Sequence, residues 1–305
     1  MKPLLLIDGN AIMHRAFHAL PPLSNDRGEV TNAVYGFSAM LLNLLAEVKP
    51  EYLIVCFDRP GPTFRKKLYT AYQKHRPEMP SDLVPQMQMM HEVLERMRIP
   101  VFEMDGFEAD DVIGTLSVQA VKTDADIEVV IVSGDRDLLQ LVNGRVKMLS
   151  PLTGITKHMI YDGAEVERKF GVTPKQIIDY KALVGDPSDG YGGVSGIGPK
   201  TASDLLKKYE TVEGVYAHVD EINRRVSERL KAGERDAELA KTLATIILDV
   251  PVTFDKKTAV ITNIDWEGAG KVFAAYGFKS LLKRLPAPKS EAVIGKKPAD
   301  QLDLL

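Results

Sequence analysis

With one cysteine, Cys56, among 305 residues, the sequence can form neither an intramolecular disulfide nor a cysteine-based zinc site, so nothing calls for an oxidising compartment. Long hydrophobic runs are missing too. LLLI (4–7) is broken by Asp8, too soon for a signal peptide, and no later stretch reaches a membrane span, so a soluble, cytoplasmic protein is expected. Several catalytic motifs are absent. GIGPKT does not follow an expected strand and is no Walker loop, and neither GxSxG nor HExxH occurs. The six histidines (His14, His18, His75, His91, His158, His218) share no ligand spacing at a common strand edge. A nucleotide-driven motor and a serine hydrolase are thereby set aside. There is no internal repeat, and 23 Gly with 18 Pro is far from a low-complexity composition, which excludes wholesale disorder. The length suits two domains or one large one.

Charge is present but unevenly placed. The net charge of −3 argues by itself against nucleic acid. Yet Arg59, Arg65, Lys66, Lys67, Lys74 and Arg76 fall in one stretch without an acid, leaving the rest of the chain at −9. Phe64, Tyr69 and Tyr72 are interleaved with them, a mixture suited to a single-stranded phosphate backbone and its bases. The plainer reading of such a run is a solvated cationic loop.

The first half alternates short apolar runs with amphipathic stretches, which predicts a parallel sheet covered by helices. Strands are expected at 4–7, 52–57 and 128–132. Helices are expected after a Thr31 cap, from Ser81 through the stripe Leu83, Met87, Met90, Leu94 and Met97, and from about Glu108 to Val121. The methionines read as packing. From about Tyr161 the pattern becomes helical, at 174–184, 199–208, 219–231 and 236–248. Beyond Arg284 it reads as a linker or tail.

Acids end the expected strands. Asp8 follows the first, Asp58 the second, Asp135 and Asp137 the third, while Glu108, Asp110 and Asp111 open the intervening helix. Loops beyond the carboxyl ends of parallel strands bring side chains to one crevice. Singly, each acid reads as a turn or helix cap. Gathered together they repel, and cations are the natural remedy. Oxygen-only donors select Mg²⁺ or Mn²⁺, and a pair of such ions roughly 3.5–4 Å apart suits phosphodiester hydrolysis.

A glycine-rich string, GVSGIGPKTA (193–202), precedes a helix opening at Pro199. Its glycines and helix N-terminus suit the close approach of a phosphate backbone, with Lys200, Lys207 and Lys208 nearby. A plain interhelical turn is the alternative. Upstream, GDPSDG carries Asp186 and Asp189 three residues apart.

These strings together resemble the 5′-nuclease domain of bacterial DNA polymerase I, in the flap endonuclease superfamily. The match runs in order through LLLIDGNAIMHRAFHAL, AVYGF, VCFDRPGPTFRKKLY, FEADDVIGTL, SGDRDLLQLV, ALVGDPSDG and GVSGIGPKTA, over roughly residues 4–208. The resemblance implies a PIN-like α/β core (1–160) with a helical arch at about 62–98. It implies a helical duplex-binding domain (161–285) with a helix-three-turn-helix element, and a tail (286–305). It assigns a first metal to Asp8, Asp58, Glu108 and Asp110, with Asp111 nearby, and a second to Asp135, Asp137, Asp186 and Asp189. Arg15 and Arg65, with Lys74 as a helper, would contact the substrate near the scissile phosphate. DNA would be held by Lys66, Lys67, Tyr72, Gln73 and Arg76 in the arch and by Gly196, Gly198, Lys200 and Thr201 at the hairpin, aided by a potassium ion.

Two positions depart from the family pattern. Where the arch reads Tyr-Lys-x-x-Arg, this chain has YQKHR, placing Gln73 at the lysine and shifting Lys74 by about 100° on a helix. Where the family has Asp-Asn-x-Pro-Gly, this chain has Asp189, Gly190, Tyr191, Gly192 and Gly193, which predicts a more flexible loop at the second metal. The last residues, QLDLL, resemble a sliding-clamp peptide, with Gln301, Leu302, Leu304 and Leu305 as its contacts. The expected activity is Mg²⁺-dependent 5′-3′ exonuclease and flap endonuclease action on DNA flaps, nicks and RNA primers, in the bacterial cytoplasm at the nucleoid. A weakly catalytic junction-binding protein and a PIN-type ribonuclease are the alternatives.

Overall fold

Short apolar runs, most of them buried, set the strands, and the computed structural model, which describes residues 1–74, 77–153 and 157–286, places six of them in one sheet. They are β1 (Lys2–Asp8), β2 (Tyr52–Cys56), β3 (Val101–Phe102), β4 (Ile127–Val132), β5 (Val146–Thr153) and β6 (Lys157–Tyr161). Their order is β3-β2-β1-β4-β5-β6, parallel except for β6, which returns antiparallel along β5. The order reverses between β1 and β4, and a crevice opens at such a switch point. Three strands match the sequence pattern. β3 is only two residues long, and Ser150 and Pro151 interrupt the apolar run of β5, so these and β6 carry little period-two signal.

Helices α1 (Gly9–Ala19), α2 (Asn32–Val48), α3 (Phe64–Leu68), α4 (Val84–Arg96) and α5 (Ala109–Thr123) connect the strands. One sheet face, with Leu5, Ile7, Leu53 and Val55, packs on Phe37, Met90, Leu94 and Met97. The methionine stripe is therefore core, as its spacing predicts. The other face, with Leu4, Leu6, Ile54 and Val129, packs on Val112, Ile113 and Leu116 of α5.

The remaining helices are α6 (Gly163–Phe170), α7 (Ile177–Val184), α8 (Pro199–Tyr209), α9 (Val212–Ala217), α10 (Arg224–Ala232), α11 (Glu234–Ala244), α12 (Lys256–Ala259), α13 (Trp266–Ala275) and α14 (Lys279–Leu282). A two-residue ribbon, β7 (Gly185–Asp186) with β8 (Tyr191–Gly192), lies between α7 and α8. Residues 161–285 divide between the two faces. Leu183, Leu206 and Leu230 extend the core on the α5 side, whereas Phe273 and Leu281 from α13 and α14 join the core of α2 and α4.

Local expectations shift where tertiary hydrogen bonds override the sequence pattern. Thr31 stands at the N-cap of α2 without capping it by its side chain. Instead the buried Gln86 carboxamide of α4 accepts from Ala33 N (2.7 Å) and Val34 N (3.3 Å). The helix expected from Ser81 begins at Val84, with a proline in its first turn. The helix expected at 219–231 starts at Arg224, because the Asn223 side chain caps it by accepting from Arg225 N. The helix expected to run to 248 ends at Ala244. Beyond it the backbone pairs with α5 and its neighbours: Ile246 N donates to Gln140, Ile247 N to Asp111, Val250 N to Thr115 and Phe254 N to Gln119. In the expected arch, residues 70–74 form a turn after the short α3 rather than helix.

Gln86→Leu leaves two N–H groups of α2 without their acceptor and is expected to lower the unfolding free energy by about 1–3 kcal/mol in urea denaturation. An unchanged midpoint would mean that the tertiary cap contributes nothing.

Candidate metal centre

Strand register alone brings the first acids together. Asp8, the last residue of β1, pairs with Cys56, and Ile7 pairs with Val132, so Asp58 and Asp135 lie just beyond the same sheet edge. Gly9 is required there, since a Cβ would stand 2.3 Å from the Phe57 ring. The turn into α1 is sealed by Asp8, which accepts from Ala11 N (2.9 Å). Asp58 in turn accepts from Ala109 N, the first amide of α5 (2.7 Å). Two helix N-termini therefore point at the carboxylates, and their partial positive charge offsets part of the repulsion.

A cavity of about 580 Å³ opens at this edge, and Asp8, Asp58, Glu108, Asp110, Asp135, Asp137 and Asp189 all line it. A hydrogen-bonded chain orders one side. Ser133 Oγ donates to Asp8 Oδ2 (2.6 Å), Asp135 N donates to Ser133 Oγ (3.0 Å), and Asp137 N donates to Asp135 Oδ1 (2.9 Å). Burial, with repulsion from Asp58 and Asp135, pushes the Asp8 carboxyl up to about 7 despite the hydrogen bonds from Ser133 and Ala11. Burial and the charges of Asp135, Asp8, Asp58 and Glu108 hold Asp110 well above the usual carboxylate range. Glu108 is raised as well, chiefly by burial, with Arg65 opposing and Asp58 adding to the shift.

The second group gathers beside the first. One oxygen each from Asp137, Asp186 and Asp189 lie within 4.8 Å of one another. Lys181 of α7, which the motifs do not single out, reaches both Asp137 and Asp186, the latter at 2.6 Å. Its only sequence signal is a lone lysine on a helix whose neighbours Ile177, Ala182 and Leu183 are buried. Although burial would raise it, Asp186 is held below the usual range by Lys181 and by hydrogen bonds from Ser188.

Two expected residues do different work. Arg65, assigned to the scissile phosphate, is 3% exposed and has its donors engaged within the protein. Its guanidinium pairs with Asp111 through two bonds of 2.8 Å and reaches Glu108 at 3.3 Å. It also donates to the carbonyls of Leu243 and Thr245 at 2.8 Å. Asp111, expected near the first metal, is fully buried in this pair and also accepts from Ile247 N. Burial would lower the Arg65 guanidinium, but Asp111 and Glu108 hold it above its ordinary value.

Tyr72 is no open stacking platform either. It is 4% exposed, its ring stacks on Tyr191 with centroids 6.3 Å apart, and its hydroxyl donates to Glu108 (3.2 Å). Gln73 donates through Nε2 to Asp189 Oδ1 (3.1 Å) and through its backbone N to Asp189 O (2.7 Å). Lys66 is exposed at the cavity wall, and Lys67 and Lys74 are exposed away from it. His14 lines the cavity whereas the half-buried Arg15 does not. Arg76 and the Gln301–Leu305 peptide lie outside the described residues.

The loop carrying Asp189 is tied down rather than loose. A Cβ on Gly193 would stand 2.5 Å from Gly185 N and Leu183 O, so glycine is needed for backbone contact. At the hairpin, Val194 and Ile197 are buried anchors, while Gly196 and Lys200 are exposed. Gly198 caps α8 with Thr201 half-buried in its first turn. The Gly196 carbonyl accepts from Arg229 (2.7 Å).

An all-carboxylate donor set, mutually repelling and partly buried, fits hard divalent cations. The ordinary carboxyl value is 3.8, and folded Asp110 keeps its proton to higher pH, so the metal-free protein loses stability as pH rises out of that range. Asp110→Asn removes this penalty. In EDTA at pH 8 its melting temperature is expected to exceed that of wild type by about 2–4 °C, closing toward pH 4, with the Mg²⁺-induced rise reduced. Equal values at pH 8 would argue against the repulsion. Arg65→Met breaks a buried pair and is expected to cost about 3–5 kcal/mol in urea denaturation. Lost cleavage at unchanged stability would return Arg65 to the phosphate.

Two family models cover most of the chain: the 5′-3′ exonuclease N-terminal resolvase-like domain matches residues 3–171, and the 5′-3′ exonuclease C-terminal SAM fold matches 172–267. DNA polymerase I of Bacillus caldotenax is 42% identical over 291 residues, 95% of this chain and 33% of that protein. A 5′-3′ exonuclease of Aquifex aeolicus is 38% identical over 285 residues, 93% of this chain and 96% of that protein. Thus the chain spans about a third of the polymerase relatives' length and nearly all of the stand-alone relative's. A bacteriophage T5 flap endonuclease in complex with DNA and metal ions shares the fold, with a TM-score of 0.68 at 19% identity over 93% of this chain and 96% of that one. Both halves of the chain, matched by the two family models, and its relatives at 38–42% identity place it in the 5′-3′ exonuclease family.

Proposed function

We propose that the protein is a structure-specific, Mg²⁺-dependent 5′-3′ exonuclease and 5′-flap endonuclease acting on DNA. The observation that carries this reading is the convergence of seven carboxylates on one cavity at the sheet's switch point. Asp8, Asp58, Glu108 and Asp110 would hold one divalent cation, and Asp135, Asp137, Asp186 and Asp189 a second. Such a pair supplies Lewis acidity and charge neutralisation for phosphodiester hydrolysis, leaving a 5′-phosphate and a 3′-hydroxyl. Mg²⁺ suits the all-oxygen donors better than zinc.

The chain's own residues bind and orient. Lys66, exposed on the cavity wall, is placed to attract the phosphate backbone. Arg65 holds α3 to α5 and so keeps Glu108 facing the cavity. The hairpin, with Gly196 and Lys200 exposed and Gly198 and Thr201 half-buried, would hold duplex phosphate without reading bases. Arg229 donates to the Gly196 carbonyl, and a potassium ion at this turn would have to compete with that guanidinium. RNA primers as substrates and a sliding clamp as partner extend the same reading. Among the described residues no helix is long and apolar enough to cross a membrane.

Purified protein given 5′-flap DNA, plain duplex and single-stranded RNA is expected to cut the flap in Mg²⁺ and none of them in EDTA. Binding without cutting would support a junction binder, and preference for RNA a ribonuclease. Asp135→Ala is expected to reduce cleavage by at least about a hundredfold while flap binding in EDTA is retained, since a catalytic metal contributes several kcal/mol.

A further inference from the structure

Gln73 occupies an unusual backbone conformation in an informative place. Its φ is +55°, in the left-handed region that residues other than glycine seldom enter. Such geometry persists only where surrounding contacts determine it. Here both ends of the residue are engaged with Asp189. The backbone N–H donates to the Asp189 carbonyl at 2.7 Å and the side-chain amide to its carboxylate at 3.1 Å. Next to it, Tyr72 stacks on Tyr191 and donates to Glu108, so the 72–73 turn joins the first group of acids to the second. Asp189 is 3% exposed, and one of its oxygens lies within 4.8 Å of oxygens of Asp137 and Asp186.

We propose that Gln73 is a positioning residue, which orients the Asp189 carboxylate for a divalent cation, and not a contact for DNA. The chemistry of the side chain supports this. A carboxamide donates one hydrogen bond without bringing a charge, so it orients Asp189 without itself neutralising the carboxylate. An ammonium at this position would add to the positive charge that Lys181 already brings to Asp137 and Asp186, further opposing a cation there. The turn geometry makes the arrangement specific, because the left-handed conformation aims the backbone amide and the side chain of one residue at one partner.

The inference rests on the acids being a metal site, and its test keeps the two separate. Mn²⁺ binding to the full chain without DNA is measured by titration calorimetry for wild type, Gln73→Met and Gln73→Lys, alongside flap-DNA affinity in EDTA. Gln73→Met keeps the bulk and the backbone bond and removes only the side-chain donor. It is expected to weaken one class of Mn²⁺ site about three- to tenfold and to raise the Mg²⁺ needed for half-maximal cleavage in step, with DNA affinity in EDTA and KM for DNA within twofold. Gln73→Lys is expected to weaken Mn²⁺ binding at least as much, despite restoring a donor. Unchanged Mn²⁺ binding in Gln73→Met, or a loss of DNA affinity in EDTA at unchanged Mn²⁺ binding, would overturn the proposal. Circular dichroism of each variant checks folding; if Gln73→Met does not fold, the Gln73→Lys comparison decides. Wild type that binds Mn²⁺ yet leaves flap DNA intact would overturn the nuclease reading alone, whereas wild type that binds no Mn²⁺ would overturn both.

Discussion

Like charges crowded at the carboxyl edge of one sheet set the terms for the structure around them. Three of these acids are also structural ligands: Asp8 seals the start of α1, Asp58 receives the first amide of α5, and Asp135 accepts from Asp137 N. Helix N-termini and buried donors thus hold the carboxylates in place, but they do not cancel them, since Asp8 and Asp110 remain raised. A protein selected only for stability would gain by replacing some of these acids. Their retention at one edge marks a site whose electrostatics favour bound cations over the empty state.

The second constraint is mechanical coupling of the two halves of the chain. Arg65 ties α3 to Asp111 of α5 and to the carbonyls of Leu243 and Thr245, at the end of α11. The segment that follows runs along α5, pairing its backbone with Asp111, Thr115 and Gln119. Every polar group in this hub has a protein partner, which is the condition under which a buried ion pair is tolerated. Shifting α11 would pull on the residue beside Glu108. The helical part therefore supports the geometry of the acidic edge.

How much of this was legible in the sequence depends on the range of the interactions. Strands β1, β2 and β4, the α5 face and the acids after each strand follow from period and position along the chain. Residues whose surroundings are set by distant partners are not legible in this way. Thr31 looked like a cap, but Gln86, over fifty residues away, does the capping. Arg65 and Tyr72 carried the composition of a nucleic-acid surface, yet both are buried against Asp111, Glu108 and Tyr191. Lys181 had no motif to announce it, since one lysine in an apolar helix reads as a solvent-facing residue until Asp137 and Asp186 are placed beside it.

The turn at Gly190–Gly193 shows why composition misleads in a particular direction. Glycine enlarges the unfolded ensemble, which argues for looseness wherever the folded backbone is unconstrained. At Gly193 the folded backbone is constrained by contact: Gly185 and Leu183 come so close that any side chain would displace them. Val194 N donates to Leu183 O at 2.9 Å across the same contact, and Gly185 pairs with Gly192 in the short ribbon. Gly193 and Gly185 allow close approach, and close approach fixes the Asp186–Asp189 turn between two hydrogen-bonded walls. A proline in this turn would achieve rigidity by restricting φ, whereas this chain achieves it by removing side chains. The two solutions have opposite compositions and the same consequence for the carboxylates they carry.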